Sequence, residues 1–138
     1  MMDATPPFLA KAQESLAGAE SEFAAGRYNN CANRCYYACF QAAIHALIKA
    51  GIQPLKAGIQ PRGAAGQWGH DFVQAEFASQ LINRRKIYPV DMRDVLPHAQ
   101  TLRHAADYRR DWMTEKQMAR NLRRAQSFVE AVLNRQGE

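Results

Sequence analysis

At 138 residues, with 47% of them hydrophobic, the chain has the length of one domain and a composition that argues against disorder. Alanine is frequent and β-branched residues are sparse, which favours helix over strand, and no window is apolar for long enough to span a bilayer. The formal net charge of +5 arises in the second part, where residues 81–138 hold twelve Lys/Arg against seven Asp/Glu while residues 1–80 hold six of each. Such a basic half suggests an anionic partner such as RNA, with a solvated helix surface as the plain alternative.

The N-terminus has no basic stretch ahead of an apolar core, so no secretory signal is expected and a cytoplasmic location is the default. A first helix is predicted from Pro6 to Ala25, with Thr5 as N-cap and Gly26 as its stop. Leu9, Ala12, Leu16, Ala19 and Phe23 form its apolar stripe. A second helix is predicted from Tyr28 to Ala50. It is apolar on almost every side from Tyr36 onward, which places it at the centre of a bundle. Cys31, Cys35 and Cys39 recur on it at i, i+4 and i+8. They span about 12 Å of helix, too far for one metal ion, and read as free thiols that let another helix approach closely.

Gly51 to Gly69 reads as a mobile loop. It contains a tandem repeat in which Lys49-Ala50-Gly51-Ile52-Gln53-Pro54 recurs as Lys56-Ala57-Gly58-Ile59-Gln60-Pro61, too short for a structural unit. A third helix is predicted over His70 to Arg84. A fourth follows over Met92 to Trp112, with Pro97 near its start and a core stripe of Val95, Ala99, Leu102 and Ala106. Thr114 caps a fifth helix and Gln117 completes a capping box. Met118, Leu122, Ala125, Val129 and Val132 form its buried face, with Arg120, Arg123 and Arg124 off it. The expected fold is all-α, an antiparallel bundle of about five helices forming a single domain over residues 1–138.

Three segments resemble a known family. Gly26-Arg27-Tyr28-Asn29-Asn30-Cys31-Ala32-Asn33-Arg34-Cys35-Tyr36-Tyr37-Ala38-Cys39-Phe40-Gln41-Ala42-Ala43 is similar to the second-helix pattern of the HEPN family. His70 with Phe77 resembles its loop-exit histidine and third helix. Arg103-His104-Ala105-Ala106-Asp107-Tyr108 resembles the R-x-x-x-D-Y signature of one HEPN branch, and the likeness runs from about Phe8 to Leu133. The resemblance implies an RNA- or nucleotide-associated helical domain and a homodimer. It also implies one half of a toxin–antitoxin-like pair with a minimal nucleotidyltransferase. Many HEPN proteins are metal-independent endoribonucleases whose motif is an arginine followed four to six residues later by a histidine. Arg103 matches the arginine, but Asp107-Tyr108 stand where the histidine belongs. Arg93 and His98 satisfy the bare spacing but precede the signature and enclose Pro97. Two readings therefore stay open: a ribonuclease toxin without the usual histidine spacing, or a non-catalytic module that binds RNA, nucleotide or a partner protein.

Metal-free RNA cleavage needs a cation for phosphate and a base for the 2′-hydroxyl. Arg103 suits the first role, His104 or His98 the second, and Asp107 an orienting role. The plain alternative for Arg103 and Asp107 is an i, i+4 surface pair worth about 0.3–0.5 kcal/mol. Asn33 and Arg34 are placed to extend phosphate contacts from the facing helix, or else to face water. By the resemblance, Tyr108 is the candidate for modification by the partner enzyme. Tyr36 and Tyr37 offer faces on which bases stack, but buried packing with hydrogen-bonded hydroxyls is the plain expectation; His70 is a candidate ligand or base, with helix capping or exposure as the plain alternative; Trp68 and Trp112 are expected to pack. No cofactor or metal site is predicted, nor a P-loop, dinucleotide fingerprint or Ser/His/Asp set.

Overall fold

A computed structural model of the chain describes residues 6–54, 68–109 and 112–135. Most of the connection expected to be mobile, residues 55–67, lies outside the described residues, as does Thr5. The elements are α1 (Pro7–Ala24), α2 (Tyr28–Lys49), α3 (His70–Glu76) with a π-helical continuation (Phe77–Arg84), a short 3-10 turn (Val90–Met92), α4 (Val95–Tyr108) and α5 (Glu115–Asn134). Among the described residues there is no strand, and none of the helices is long and apolar enough to cross a membrane.

Helix α2 is central, and it packs against α1, α3 with its π continuation, α4 and α5. Its side chains are buried on nearly every face from Cys31 to Leu47. Most of them are Ala or Cys, so neighbouring backbones come close, and enlarging such a residue costs about 1–3 kcal/mol through overpacking. The three cysteines are buried free thiols, and burial pushes the Cys39 thiol up to about 12. Gly26, at φ 78°, turns the chain from α1 into α2, a conformation that glycine adopts without the penalty of a Cβ.

Three end effects depart from the sequence expectation. The N-cap position of α1 is Pro6, without a side-chain cap. Helix α4 starts at Val95, three residues later than expected, because Met92 belongs to the 3-10 turn and Pro97 is accommodated only in the first helical turn. It ends at Tyr108 rather than Trp112, with the Arg109 N–H bonding back to the Ala105 carbonyl and the chain then extended. The segment beyond is tied down where the Asn29 side chain accepts the Met113 N–H at 3.0 Å. The capping box of α5 is formed: the Gln117 N–H donates to Thr114 Oγ1 at 3.1 Å, and the Thr114 N–H donates to Gln117 Oε1 at 2.9 Å.

Candidate functional site

Helices α2, α3 and α4 meet around the side chain of Arg103. Leu102 and Ala106 turn that side of α4 toward the core, and Arg103 leaves the helix at the edge of the buried face. Its guanidinium carbon lies 5.1 Å from the ring centre of Tyr36 and 5.6 Å from that of Tyr37. A cation over an aromatic face gains about 0.5–2 kcal/mol, increasing with desolvation. The side chain is only 21% exposed. Asp107 approaches it at 3.9 Å, a loose i, i+4 pair rather than a bidentate grip. Arg103 Nε is buried and has no hydrogen-bond partner among the described residues. The Tyr36 and Tyr37 rings thus hold the guanidinium in place, and its Nε is a donor that no described residue meets.

Tyr36 links this arginine to a histidine. Its hydroxyl lies 2.5 Å from His70 Nδ1, and its ring stacks on the His70 ring at 5.5 Å between centres. Phe40 stacks against both rings, 4.6 Å from His70 and 5.6 Å from Tyr36. The phenol is fully buried, and desolvation pushes its pKa up to about 12 against the opposing influence of Gln74 and Arg103, so it stays protonated. Burial and the nearby Arg103 charge hold His70 below its ordinary value, with Asp71 pulling the other way. A neutral imidazole beside a fixed cation results.

Asn33 and Arg34 lie on α2 close to Asp107 of α4. Asn33, Arg34 and Asp107 line one shallow depression of about 410 Å³ between α1, α2 and α4. Asn33 Oδ1 accepts from Arg34 Nε at 3.1 Å and Nη2 at 2.8 Å, and the Arg34 guanidinium sits 5.4 Å from the Tyr37 ring centre. Tyr37 therefore carries Arg34 and Arg103 against one ring. Room for the Arg34 stem comes from Gly18 on α1, where an added Cβ would meet Arg34 Cδ at 3.4 Å.

The structure brings Arg103, Asp107, Asn33 and Arg34 together, but it sets His104 apart. His104 is exposed and lies against Tyr108, with ring centres 4.7 Å apart. Tyr108 itself is 75% exposed. His98 lies near the start of α4, in a separate groove with arginines of α5. Trp68 packs beside Phe72 as expected, whereas Trp112 is 79% exposed, because α4 ends before it and no core face remains to receive it. His70 is the member that sequence reasoning misplaced. It neither caps α3, whose N-cap is Gly69, nor points freely to solvent. No histidine stands four to six residues after Arg103, and residue spacing gave no pointer to His70 as its spatial neighbour.

Among the described residues no group of three or more His, Cys, Asp or Glu is placed to hold a metal ion. No curated relative matches the chain. The family model for the HEPN domain matches residues 7–136, nearly the whole chain and all the helices that build this cluster. With its all-α architecture around a central second helix, the chain belongs to the HEPN domain family.

Proposed function

We propose that this HEPN domain is a phosphate-binding, RNA- or nucleotide-associated module whose anion site is the seam formed by Arg103, Arg34 and Asn33. One observation carries the reading: a guanidinium held against Tyr36 and Tyr37, four-fifths buried, whose Nε meets no acceptor among the described residues. A phosphate oxygen reaching the exposed fifth of the side chain would gain a charge-assisted bond without displacing a close ion pair, since Asp107 stands 3.9 Å away. The test is binding of the purified chain to total RNA and to nucleotides, with and without Arg103→Ala. The variant loses affinity while its melting temperature stays near that of the parent. Equal binding by both proteins rejects the site.

A second reading, cleavage, is favoured by His70. In the tautomer whose Nδ1–H donates to the Tyr36 oxygen, Nε2 keeps a lone pair for proton abstraction. His70 would take the 2′-hydroxyl proton while that oxygen attacked phosphorus. Breaking the P–O5′ bond would leave a 2′,3′-cyclic phosphate and a 5′-oxyanion that takes a proton from water to become the 5′-hydroxyl, with Arg103 holding the charge on the phosphate. Cleavage products that vanish in both His70→Gln and Arg103→Ala support this reading; intact RNA with the parent leaves binding alone.

The partner readings rest on the family resemblance. Exposure of Tyr108 leaves its hydroxyl accessible to a nucleotidyltransferase, and Tyr108 with Trp112 offers apolar surface for a second copy of the chain or for that enzyme. Growth arrest by the chain alone, relieved by the enzyme but not when Tyr108 is replaced by Phe, is the outcome that supports a toxin–antitoxin pair. Light scattering distinguishes a homodimer from a monomer.

A further inference from the structure

A second cationic surface lies away from the Arg103 seam. The 3-10 turn and the first turn of α4 face α5 across a groove of about 850 Å³. Arg120, Arg123 and Arg124 line it from α5 and His98 from α4, with Asp91 and Asp94 also on its wall. Buried Met92 and Phe128 contribute to its lining, so the groove is backed by packed core. All three arginines are exposed, and none makes an ion pair or hydrogen bond with any described residue, although two carboxylates share the groove. The geometry of α5 explains their convergence: Arg120, Arg123 and Arg124 occupy i, i+3 and i+4, and Ser127 continues the same ridge at i+7. Val95, the first residue of α4, also lines the wall, bringing the positive end of that helix to it.

The structure assigns this groove to consecutive phosphates, held by Arg120, Arg123 and Arg124 independently of the Arg103 seam. Along the ridge, Arg120 and Arg124 are about 6 Å apart in rise, which suits neighbouring phosphates of one strand or one polyphosphate tail better than a single anion. Guanidiniums grip such oxygens in pairs, and Ser127 adds a hydroxyl donor. Asp91 and Asp94 oppose an anion and set a limit on affinity. His98, held below its ordinary pKa by burial and by Arg124, remains neutral near pH 7 and adds no further positive charge there.

Two probes separate the sources of the phosphates: a single-stranded oligouridylate of about twelve nucleotides and inorganic triphosphate. Arg120→Gln combined with Arg124→Gln is expected to weaken oligouridylate binding at least about tenfold and to lower the salt slope of its affinity by about 1.4. Asp91→Asn with Asp94→Asn is expected to tighten binding severalfold, a change that loss of structure would not produce. Triphosphate bound by the parent and lost in the arginine variant, with no binding of oligouridylate, keeps the groove and identifies a nucleotide tail as its ligand. Arginine variants that fold and bind both probes like the parent overturn the proposal, as does a parent that binds neither. If only Arg103→Ala weakens binding, the groove falls and the seam stands. If only the α5 variant does, the seam falls and the groove stands.

Discussion

Tyr36 and His70, 34 positions apart in sequence, are joined by a 2.5 Å hydrogen bond between the phenol oxygen and Nδ1. The bond ties the most buried helix to the first residue of α3 and places a neutral imidazole in the same cluster as Arg103. It has separable consequences for stability, for pH dependence and for ligand binding.

Tyr36→Phe keeps the ring and removes the hydroxyl, leaving His70 Nδ1 without its partner. The expected loss of unfolding free energy is about 1–2 kcal/mol. Tyr36→Ala also removes the ring that supports Arg103 and opens a cavity, so its loss rises to about 3–5 kcal/mol. Urea denaturation of both variants measures the two amounts; no loss in Tyr36→Phe would show that the hydroxyl contributes nothing, and equal losses that the ring adds nothing beyond it.

Acid destabilises the fold through His70. Its folded-state pKa lies below the ordinary 6.5, so the unfolded chain binds the proton more readily. The stability associated with the neutral ring is complete above about pH 6.5 and falls as pH drops from there through the folded-state value. His98 shifts in the same direction, for burial and Arg124. Melting temperatures measured downward from pH 8 are expected to fall within this window, and His70→Gln to flatten part of the fall. A variant curve parallel to that of the parent would place the effect elsewhere.

Arg103→Ala is expected to weaken RNA or nucleotide binding about tenfold to hundredfold, the equivalent of about 1.5–3 kcal/mol. Stability falls by much less, since the ion pair with Asp107 is long and partly exposed and the Tyr36 ring remains in place. Arg103→Lys keeps the charge but loses the planar fork and its stacking, so it recovers only part of the affinity. Full recovery by lysine would reduce the role of Arg103 to charge alone.

The cap of α5 provides a test away from both anion surfaces. Thr114→Ala removes the oxygen that accepts the Gln117 N–H and is expected to cost about 1 kcal/mol, with ligand binding unchanged. Thermal unfolding and RNA titration of the same variant check both halves of the expectation.

The thiols of Cys35 and Cys39 are fully buried; the Cys31 sulfur beside it and burial raise Cys35, and burial raises Cys39, above the usual thiol range. Alkylation in native buffer is therefore expected to proceed only as fast as the fold opens, and to become rapid in denaturant. Immediate stoichiometric labelling of the native protein would contradict this packing.

Much of this protein was legible in the sequence because much of it is local. The apolar period of α2 and α5, the Gly26 turn and the Thr114–Gln117 box depend on neighbours within a turn or two, so they follow from residue spacing. Arg103 at the margin of its stripe, and Asn33 and Arg34 on the facing helix, were visible for the same reason. The ends of α4 were less so, because competition between a 3-10 turn and a helix at Met92, and exposure of Trp112, depend on what packs nearby. The position of His70 was decided only by tertiary structure. A long connection separates it from α2, and no periodicity crosses such a gap. Docking of α3 against α2 brought its ring to the Tyr36 hydroxyl, and only burial in that contact could lower its pKa and set it beside Arg103. The convergence of Arg120, Arg123 and Arg124 with the start of α4 has the same origin: their spacing is written in α5, but the opposite wall of the groove exists only once the helices pack.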